Sequence, residues 1–364
     1  MNDSALTLEL GDRVPNFVLP NHQGNHLMFY NKTKGGPVVL FLYRRNADPD
    51  ARREVEAFMA HHAELDALGT EIFVINRDSA ENNAALVASH ALAHHVLSDP
   101  AKKITAALAA AVGAIATPAD ESELPNIVLV LDRNQRLLRA LGPAEESLAA
   151  RAVAVLRRDL PTTERHELSL TAPVLMLPNM LDPATCRQLI EIWQTQGHQE
   201  GDVFAVKGGK KTLGIDYGMK KRLDHTVRDD AVSAMVTRKI GPRIADEVFK
   251  AFSYEGFVLE RFVIGAYDDE RGDYFRPHRD NLSPQTAGRR FAISLNLNED
   301  YEGGGLAFPE YGPHVYNLTA GTAMIFSCAL IHEALPVTRG RRFVLLSFLI
   351  DAQNRPHPWS FRAD

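Results

Sequence analysis

An H-x-D pair and a distant histidine are the residues of this 364-residue chain best suited to chemistry. His278 and Asp280 are two positions apart, and residues so spaced in an extended chain project from the same face. His332 lies 52 residues beyond Asp280, just after the strand-like run Thr322–Leu330. Two imidazoles and one carboxylate on one face of a metal leave coordination positions open, which suits ferrous iron that binds a cosubstrate and dioxygen together. The set predicts a metal centre formed by His278, Asp280 and His332.

Taken singly, each of these residues has an ordinary structural interpretation, because an H-x-D pair arises by accident and a lone histidine is often hydrogen-bonded or exposed. The residues that follow His332 favour a metal site over these ordinary interpretations. Arg342 follows His332 by ten residues and heads the apolar run Phe343–Phe348. A guanidinium entering a buried strand is costly unless it meets an anion, and its fork matches a carboxylate. The alternative is an arginine at the rim of the strand, paired with Asp or Glu.

The second half of the chain supplies the elements that must position these residues. From Val174 onward, helices at Pro183–Thr195 and Asp229–Ala251 precede a series of short strands. Glycine and proline punctuate those strands, as at Gly303–Gly305 and Pro309. Helices followed by closely spaced strands predict a jelly-roll (double-stranded β-helix) fold with supporting helices, an α+β domain over residues 174–364.

The first half follows a different pattern. Residues 7–160 alternate short apolar strands with helical stretches, the strands at Val38–Tyr43, Glu71–Asn76 and Ile127–Asp132 and the helices at Asp50–Leu68 and Ser79–Ala93, with Ser79 as N-cap. This alternation predicts an α/β domain whose sheet is covered on both faces. Pro161 and two threonines then interrupt the chain, so residues 161–173 are predicted to be a linker.

The bulk composition favours a soluble protein and argues against two kinds of partner. A formal net charge of −6 is unlike that of a nucleic-acid-binding protein, which needs clustered Lys and Arg. Short basic runs at Lys207–Lys211 and Lys220–Arg222 are expected to be solvated loops or helix faces. No uncharged apolar stretch approaches the roughly 20 residues of a membrane span, so no membrane partner is predicted.

The cysteines favour a reducing compartment. The chain has two, Cys186 and Cys328, with no close pair to clamp zinc or run a redox cycle, and both are expected to be packing residues. The N-terminal residues lack a basic region followed by an apolar run, so no signal peptide is expected. These features predict a cytoplasmic protein.

Several motifs in the region Val174–Ile350 resemble the prolyl 4-hydroxylase-like branch of the 2-oxoglutarate oxygenase superfamily. The similar segments are an opening helix at Leu181–Cys186, a first ligand block at Glu260–Tyr267 and Gly272–Asp280, a strand and turn at Ser294–Asn298, Gly303–Gly305 and Phe308–Pro309, and a second ligand block at His332–Arg342.

The resemblance implies a role for each matching position. His278, Asp280 and His332 would hold Fe(II), and Arg342 would grip the distal carboxylate of 2-oxoglutarate, with Arg341 as its competitor on the strand. Tyr267 would point into the cosubstrate pocket. Where many relatives have a tyrosine before the glycine turn, this chain has Asn296, whose amide could donate to the cosubstrate.

The implied activity is a hydroxylation that uses O2 and couples the decarboxylation of 2-oxoglutarate to oxidation of a C–H bond, with ascorbate as reductant. Asp280 favours hydroxylation, since halogenating relatives lack a carboxylate there. The substrate would be a prolyl or other amino-acid-derived group, either in a free small molecule or in a peptide or protein. The alternative is a binding or sensor protein that takes up iron and 2-oxoglutarate without turnover.

The first half resembles peroxiredoxins of the alkyl hydroperoxide reductase type, which implies a thioredoxin fold. The similar segments are Gly11–Pro20, Pro37–Tyr43, Asp78-Ser79 and Leu97–Pro100. In these enzymes a proline-led loop delivers the peroxidatic cysteine, but Ala51 occupies that position, and residues 7–160 contain no cysteine. A redox-inactive domain that acts by binding is therefore expected, and peroxiredoxin-type pairing predicts a homodimer.

Overall fold

In a computed structural model, the protein is described over residues 7–33, 35–90, 94–114, 124–160, 170–207, 210–283 and 285–351, with the backbone alone for 203–213. The chain forms two compact units, Met1–Arg165 and His166–Asp364. Most of the predicted linker, residues 161–169, lies outside the described residues.

The first unit alternates strands and helices around one sheet. Its elements are β1 (Val18–Pro20), β2 (His26–Met28), α1 (Phe29–Thr33), β3 (Val38–Leu42), α2 (Pro49–Ala60), α3 (His62–Ala67), β4 (Glu71–Asn76), α4 (Ala80–His90), β5 (His95–Ser98), α5 (Lys103–Ala111), β6 (Ile127–Leu131), β7 (Leu137–Leu141) and α6 (Leu148–Asp159). The five-stranded sheet has the order β5-β4-β3-β6-β7, with β3, β4 and β5 parallel and β6 and β7 antiparallel.

The central strand β3 explains why both faces of this sheet are covered. All five of its residues are buried. Leu40 and Leu42 pack into one apolar cluster and Val39 and Phe41 into another, because successive side chains of a strand point to opposite faces. The predicted α/β layer structure is therefore present.

One of the predicted first-unit helices needs correction. The stretch predicted as one helix over Asp50–Leu68 is divided into α2 and α3 at His61, whose Nδ1 lies 2.9 Å from the carbonyl oxygen of Ala57. Helix α4 is described as far as His90, and its predicted end at Ala93 lies outside the described residues. Ser79 Oγ accepts from the N–H of Asn82 at 3.3 Å, as expected of an N-cap.

The second unit is dominated by strands. Its elements are β8 (Leu175–Leu177), α7 (Pro183–Thr195), β9 (Gln199–Glu200), β10 (Val203–Lys207), β11 (Lys210–Gly214), β12 (Lys220–Lys221), β13 (Leu223–Thr226), α8 (Asp230–Phe252), β14 (Phe257–Leu259), β15 (Val263–Asp268), β16 (Tyr274–His278), β17 (Arg289–Asn296), β18 (Tyr301–Gly303), β19 (Leu306–Ala307), a 3-10 turn (Pro309–Tyr311), β20 (Val315–Tyr316), β21 (Ala323–Ser327), β22 (His332–Ala334) and β23 (Val337–Asp351).

Two antiparallel sheets face each other in this unit. The larger has the order β8-β21-β17-β23-β15-β13-β9, with β14 and β18 also paired to β23, and the smaller has the order β12-β16-β22-β19-β20. One apolar cluster lies between the sheets and includes Val344 and Phe326 from the larger and Ala334 from the smaller. A second cluster joins the outer face of the larger sheet to α7 and α8, through Phe343 and Leu345. The unit is a double-stranded β-helix supported by two helices.

Both supporting helices begin where the sequence predicts. Helix α7 spans Pro183–Thr195 as predicted, and Asp182 caps it by accepting from the N–H of Thr185 at 2.8 Å. Helix α8 starts one residue after Asp229, whose carboxylate accepts from the first turn. Among the described helices, none combines the length and apolar composition that a bilayer crossing requires.

Candidate metal centre

The register of two neighbouring strands brings the two histidines together. Strands β16 and β22 pair antiparallel with His278 opposite His332, and the ring centroids are 4.2 Å apart. Phe275 stacks on His278 at 3.5 Å, and Phe326 packs edge-on against His332 at 4.6 Å. Aromatic contacts on both imidazoles restrict their rotation, so the rings are held in place by the fold.

Asp280 lies in the turn that follows β16, two residues beyond the end of the strand. Its N–H donates to the carbonyl oxygen of Cys328 at 3.0 Å, which fixes the turn against the end of β21. Its Oδ1 lies 3.5 Å from His278 Nε2, and its Oδ2 lies 3.3 Å from His332 Nε2. One potential ligand atom from each of the three residues lies within 4.8 Å of the others.

Hydrogen bonds on the far side of both rings make this donor set suitable for a metal. Nδ1 of His278 lies 2.8 Å from the carbonyl oxygen of Arg276, and Nδ1 of His332 lies 3.1 Å from that of Leu330. A carbonyl can only accept, so each Nδ1 carries the hydrogen, and in a neutral ring Nε2 then presents its lone pair toward Asp280. Lone pairs facing a carboxylate repel unless a cation lies between them. The arrangement therefore fits a bound metal ion, whose histidine ligands commonly donate their other N–H in this way.

The protonation states agree with this interpretation. Burial opposes the ionisation of Asp280, but the neighbouring imidazoles of His332 and His278 lower its pKa to about 2. Burial lowers the pKa of His332, an effect that Asp280 opposes. Near neutral pH the carboxylate is charged and the His332 imidazole is neutral, which are the states that metal ligands require.

The three residues line a cavity of about 620 Å³ between the two sheets. This volume is in the usual range for small-molecule sites. Apolar side chains from both sheets form part of its wall, among them Leu306, Phe326, Val344 and Leu346. Such walls limit the water that reaches the metal centre and strengthen electrostatic interactions inside the cavity.

Arg342 carries a buried positive charge into this cavity. The residue is 3% exposed. Its Nε donates to Asn296 Oδ1 at 3.0 Å and its Nη1 donates to the carbonyl oxygen of Gly304, both neutral acceptors. No carboxylate among the described residues pairs with this guanidinium. Burying an unpaired charge is unfavourable, so the site is suited to an incoming anion.

The neighbouring Arg341 lies outside the cavity. Its Nε donates to Asp268 Oδ2 at 2.6 Å, and its guanidinium lies 5.5 Å from the centroid of the Trp193 ring. Adjacent residues of β23 face opposite sides of the sheet, and Arg342 shares its side with Val344. The structure thus separates the two arginines that compete for the pocket in the sequence.

Tyr267 and Asn296 take different positions around Arg342. Tyr267 lines the cavity, and its ring centroid is 5.8 Å from the Arg342 guanidinium carbon. Asn296 is fully buried behind Arg342, and its Nδ2 donates to the carbonyls of Asn298 and Leu318 and to the Tyr301 hydroxyl, each at 2.8 Å. The contacts of Asn296 favour orientation of Arg342 over direct contact with a cosubstrate.

The cavity wall includes a charged cluster, formed by Lys220, Arg222 and Asp224, that the sequence interpretation missed. Lys220 and Arg222 are 5% and 7% exposed, which corrects the expectation that this short basic run is solvated. Both donate to Asp224, from Lys220 Nζ to Oδ2 at 3.0 Å and from Arg222 to both carboxylate oxygens. The only signal in the sequence is the K-K-R-L-D spacing, which places alternate residues on one side of an extended chain. The other basic run, Lys207–Lys211, lies where side chains are outside the described residues.

In the first unit, Ala51 lies in the first turn of α2 and is fully buried. The two cysteines of the chain both belong to the second unit and are free and buried. Burial raises the pKa of Cys186 to about 11, and it also raises the pKa of Cys328. Both thiols pack in apolar clusters, as the sequence predicts for packing residues.

In a comparison with known proteins, each unit contains a segment that matches a family model. Residues 10–160 match the AhpC/TSA family, and residues 262–350 match the 2OG-Fe(II) oxygenase superfamily. These matches confirm the two resemblances and the predicted pairing of a thioredoxin-like domain with a jelly-roll domain.

Three of the similar proteins each cover less than half of this chain. Procollagen-lysine,2-oxoglutarate 5-dioxygenase 2 of Homo sapiens is 29% identical over 178 residues, which cover 45% of this chain and 22% of that protein. A PKHD-type hydroxylase of Caulobacter vibrioides is 30% identical over 146 residues, covering 37% of this chain and 62% of that protein. The crystal structure of peroxidoxin BcpB from Mycobacterium tuberculosis, 23% identical, covers 42% of this chain and 99% of its own, with a TM-score of 0.37. The chain thus spans 22% of the length of the procollagen-lysine relative.

Proposed function

We propose that this protein, in which an AhpC/TSA-family domain precedes a 2OG-Fe(II) oxygenase domain, is a 2-oxoglutarate-dependent hydroxylase. One observation carries the proposal: His278 Nε2, His332 Nε2 and the Asp280 carboxylate converge in the same cavity as a buried guanidinium that has no acidic partner among the described residues. The first group is suited to a divalent metal and the second to a carboxylate.

Each residue of the site has a definite task in this proposal. His278, Asp280 and His332 would hold iron(II). Arg342 binds the distal carboxylate of 2-oxoglutarate, and the acceptors on Asn296 and Gly304 hold the guanidinium in the orientation that this contact needs. Tyr267, from the neighbouring strand, forms the side of the cosubstrate position.

The bound iron supplies the redox chemistry, in which dioxygen, 2-oxoglutarate and a substrate C–H bond give succinate, carbon dioxide and the hydroxylated product. The protein contributes orientation and a largely apolar enclosure. Arg342 and the metal ligands fix the two ends of the cosubstrate, while the apolar wall keeps water from the position where the substrate C–H bond is presented. The substrate class in this proposal is a prolyl or other amino-acid-derived group.

Two finer points belong to the same proposal. Ascorbate is the expected reductant that keeps the iron ferrous between cycles. The cytoplasm is the expected compartment, since both cysteines are free thiols in separate apolar clusters.

The test is succinate release from purified protein supplied with ferrous iron, ascorbate and 2-oxoglutarate. We expect slow release without added substrate, and we expect His278→Ala and Asp280→Ala each to abolish both iron loading and release. His314→Ala is the matched control, because His314 is exposed and does not line the cavity. Unaltered release in either ligand variant would refute the site, and iron and 2-oxoglutarate binding without release would favour the sensor alternative.

A further inference from the structure

A buried cluster of two cations and one carboxylate forms the wall of the cavity beside Tyr267. Lys220 lies on β12, Asp224 lies on β13, and Arg222 lies between these strands. Arg222 donates to Asp224 Oδ1 from Nε at 2.5 Å and to Oδ2 from Nη2 at 2.9 Å, while Lys220 donates to Oδ2 at 3.0 Å. Asp224 is therefore the carboxylate that both cations share, while the exposed Asp202 carboxylate acts on Lys220 through its charge, so the buried part of the cluster keeps an excess positive charge.

Two other arginines on the cavity wall, Arg289 and Arg279, differ from this cluster because each has its own carboxylate. Arg289 forms a bidentate pair with Glu260 at 2.7 and 2.8 Å, and Arg279 pairs with Glu310 at 2.7 Å. The second contact of Lys220 is the backbone carbonyl of Asp202, a neutral acceptor. Burial beside Arg222 lowers the pKa of Lys220 to about 8, although Asp224 opposes the change. An anion on this wall would relieve that unfavourable burial.

Two glycines provide the space in which the cluster is buried. A Cβ atom on Gly201 would lie 2.3 Å from Lys220 Nζ and 2.4 Å from Asp224 Oδ2. A Cβ atom on Gly265 would lie 3.0 Å from Arg222 Nε. Any other residue at Gly201 would displace the charged groups, so the backbone on both sides is matched to a cluster that points into the cavity.

The cluster borders the position assigned to the cosubstrate through Tyr267. Arg222 Nη1 donates to the Tyr267 hydroxyl at 3.1 Å, and the guanidinium carbons of Arg222 and Arg342 lie 5.5 and 5.8 Å from the centroid of that ring. On the side of the metal centre, Phe275 stacks on His278, and Lys220 Nζ lies 5.4 Å from the Phe275 centroid. A second anion on this wall would thus lie close to the metal centre and beside the cosubstrate position.

We infer that Lys220 and Arg222 bind a carboxylate of the primary substrate, so that the molecule to be hydroxylated is an acid. The inference rests on the proposed function and names its substrate class. The carboxylate belongs either to a free amino acid derivative or to an acidic residue of a peptide. A lysyl ammonium, the group that the name of the procollagen-lysine relative indicates, would instead meet two buried cations on this wall, whose shared carboxylate is already paired.

The test compares probes that differ only in charge, bound to the anaerobic complex of the protein with iron and 2-oxoglutarate. The probes are N-acetyl-L-proline and its amide, a capped tetrapeptide with glutamate after proline and its glutamine counterpart, and a capped lysine tripeptide. Calorimetry should show the carboxylate member of at least one pair binding about 10- to 100-fold more tightly than its amide, the range for charge-assisted hydrogen bonds. The pair that shows the preference identifies the source of the carboxylate.

Variants then assign that preference to the cluster. In Lys220→Met the ratio of carboxylate to amide affinity should fall toward one, and Lys220→Arg should restore it. Lys221→Met is the matched control, since Lys221 is the next residue of β12 and does not line the cavity. Because the readout is a ratio within one protein, a general loss of binding cannot imitate the effect.

Three results would overturn the inference: equal affinity for both members of every pair, tighter binding of the lysine probe, or the same loss in Lys221→Met as in Lys220→Met. Succinate release by the same preparation distinguishes failure of the substrate class from failure of the proposed function. Release without carboxylate preference refutes the substrate class alone, whereas absence of iron-dependent release refutes the proposed function.

Discussion

Replacing Arg342 with methionine should weaken 2-oxoglutarate binding far more than it weakens iron binding. The guanidinium has five N–H donors, and the described contacts to Asn296 and Gly304 use one on Nε and one on Nη1. The remaining donors are available for a bidentate contact with a carboxylate in a desolvated cavity. Losing such a contact is worth roughly 2–4 kcal/mol, or about 30- to 1000-fold in affinity.

The folded protein itself should lose little stability in this variant. Methionine leaves Asn296 Oδ1 and the Gly304 carbonyl without a donor, which costs on the order of 1–3 kcal/mol. The same change also removes a buried charge that has no acidic partner among the described residues, and this offsets part of the loss. The variant should therefore lose unfolding free energy mainly in its complex with 2-oxoglutarate.

Ligand-induced stabilisation provides the assay. At a 2-oxoglutarate concentration about 100 times Kd, the wild-type protein gains about 2.7 kcal/mol of unfolding free energy. A 100-fold weaker variant at the same concentration gains only about 0.4 kcal/mol. Anaerobic unfolding curves with iron, with and without 2-oxoglutarate, measure both gains, and calorimetry gives Kd directly.

Arg341→Met is the matched control because Arg341 is adjacent, carries the same charge and pairs with Asp268 outside the cavity. This variant should retain the full gain in unfolding free energy that 2-oxoglutarate gives the wild-type protein. If Arg341→Met loses the gain and Arg342→Met keeps it, the assignment of the two faces of β23 is wrong. Equal loss of iron in Arg342→Met would also refute the division of tasks between the arginine and the metal ligands.

The remaining predictions concern the first unit and helix α7. Full-length protein should lack thiol-dependent peroxidase activity, since Ala51 replaces the nucleophile; turnover of peroxide with a thiol reductant would contradict this. We propose a homodimer formed through residues 7–160, so sedimentation should give a dimer for the full chain and a monomer for residues 170–364. Asp182→Ala should destabilise the protein by about 1–2 kcal/mol in denaturant unfolding, because it removes the cap on Thr185, whereas Asp182→Asn keeps that acceptor. Burial opposes ionisation of Asp182, but contacts with Thr185 and Lys239 lower its pKa in the folded state, so its contribution is complete above the unfolded pKa of about 3.9 and is lost as pH falls below it.

The fold could be predicted where the pattern is local. Strands β3, β4 and β6 agree with the predicted runs to within a residue, because continuous apolar residues between polar turns define buried strands. The break at His61 was not predictable in this way, since no glycine or proline marks it. There the imidazole lies within hydrogen-bonding distance of the carbonyl of Ala57, an interaction that leaves no signal in periodicity.

The residues of the site also differ in whether a local sequence pattern predicts them. His278, Asp280, His332 and Arg342 could be proposed because their spacing and neighbouring motifs are contained in two short segments. The burial of Lys220 and Arg222 could not, because it depends on space at Gly201 and Gly265, which are separated from them in sequence. A basic run looks the same in a sequence whether it faces solvent or the wall of a cavity.

The choice between the two arginines follows from apolar packing rather than from their own charges. Strands β15 and β23 pair with Tyr267 opposite Arg342. A shift of one residue would turn Arg341 into the cavity, but it would also move Phe343 and Leu345 out of their contacts with the helices. Loss of that burial costs about 1.5–3 kcal/mol for each side chain, more than a partly exposed ion pair such as Arg341 with Asp268 contributes. The aromatic contact of Phe343 with Trp193, at 5.2 Å between centroids, thus helps to decide which guanidinium enters the cavity.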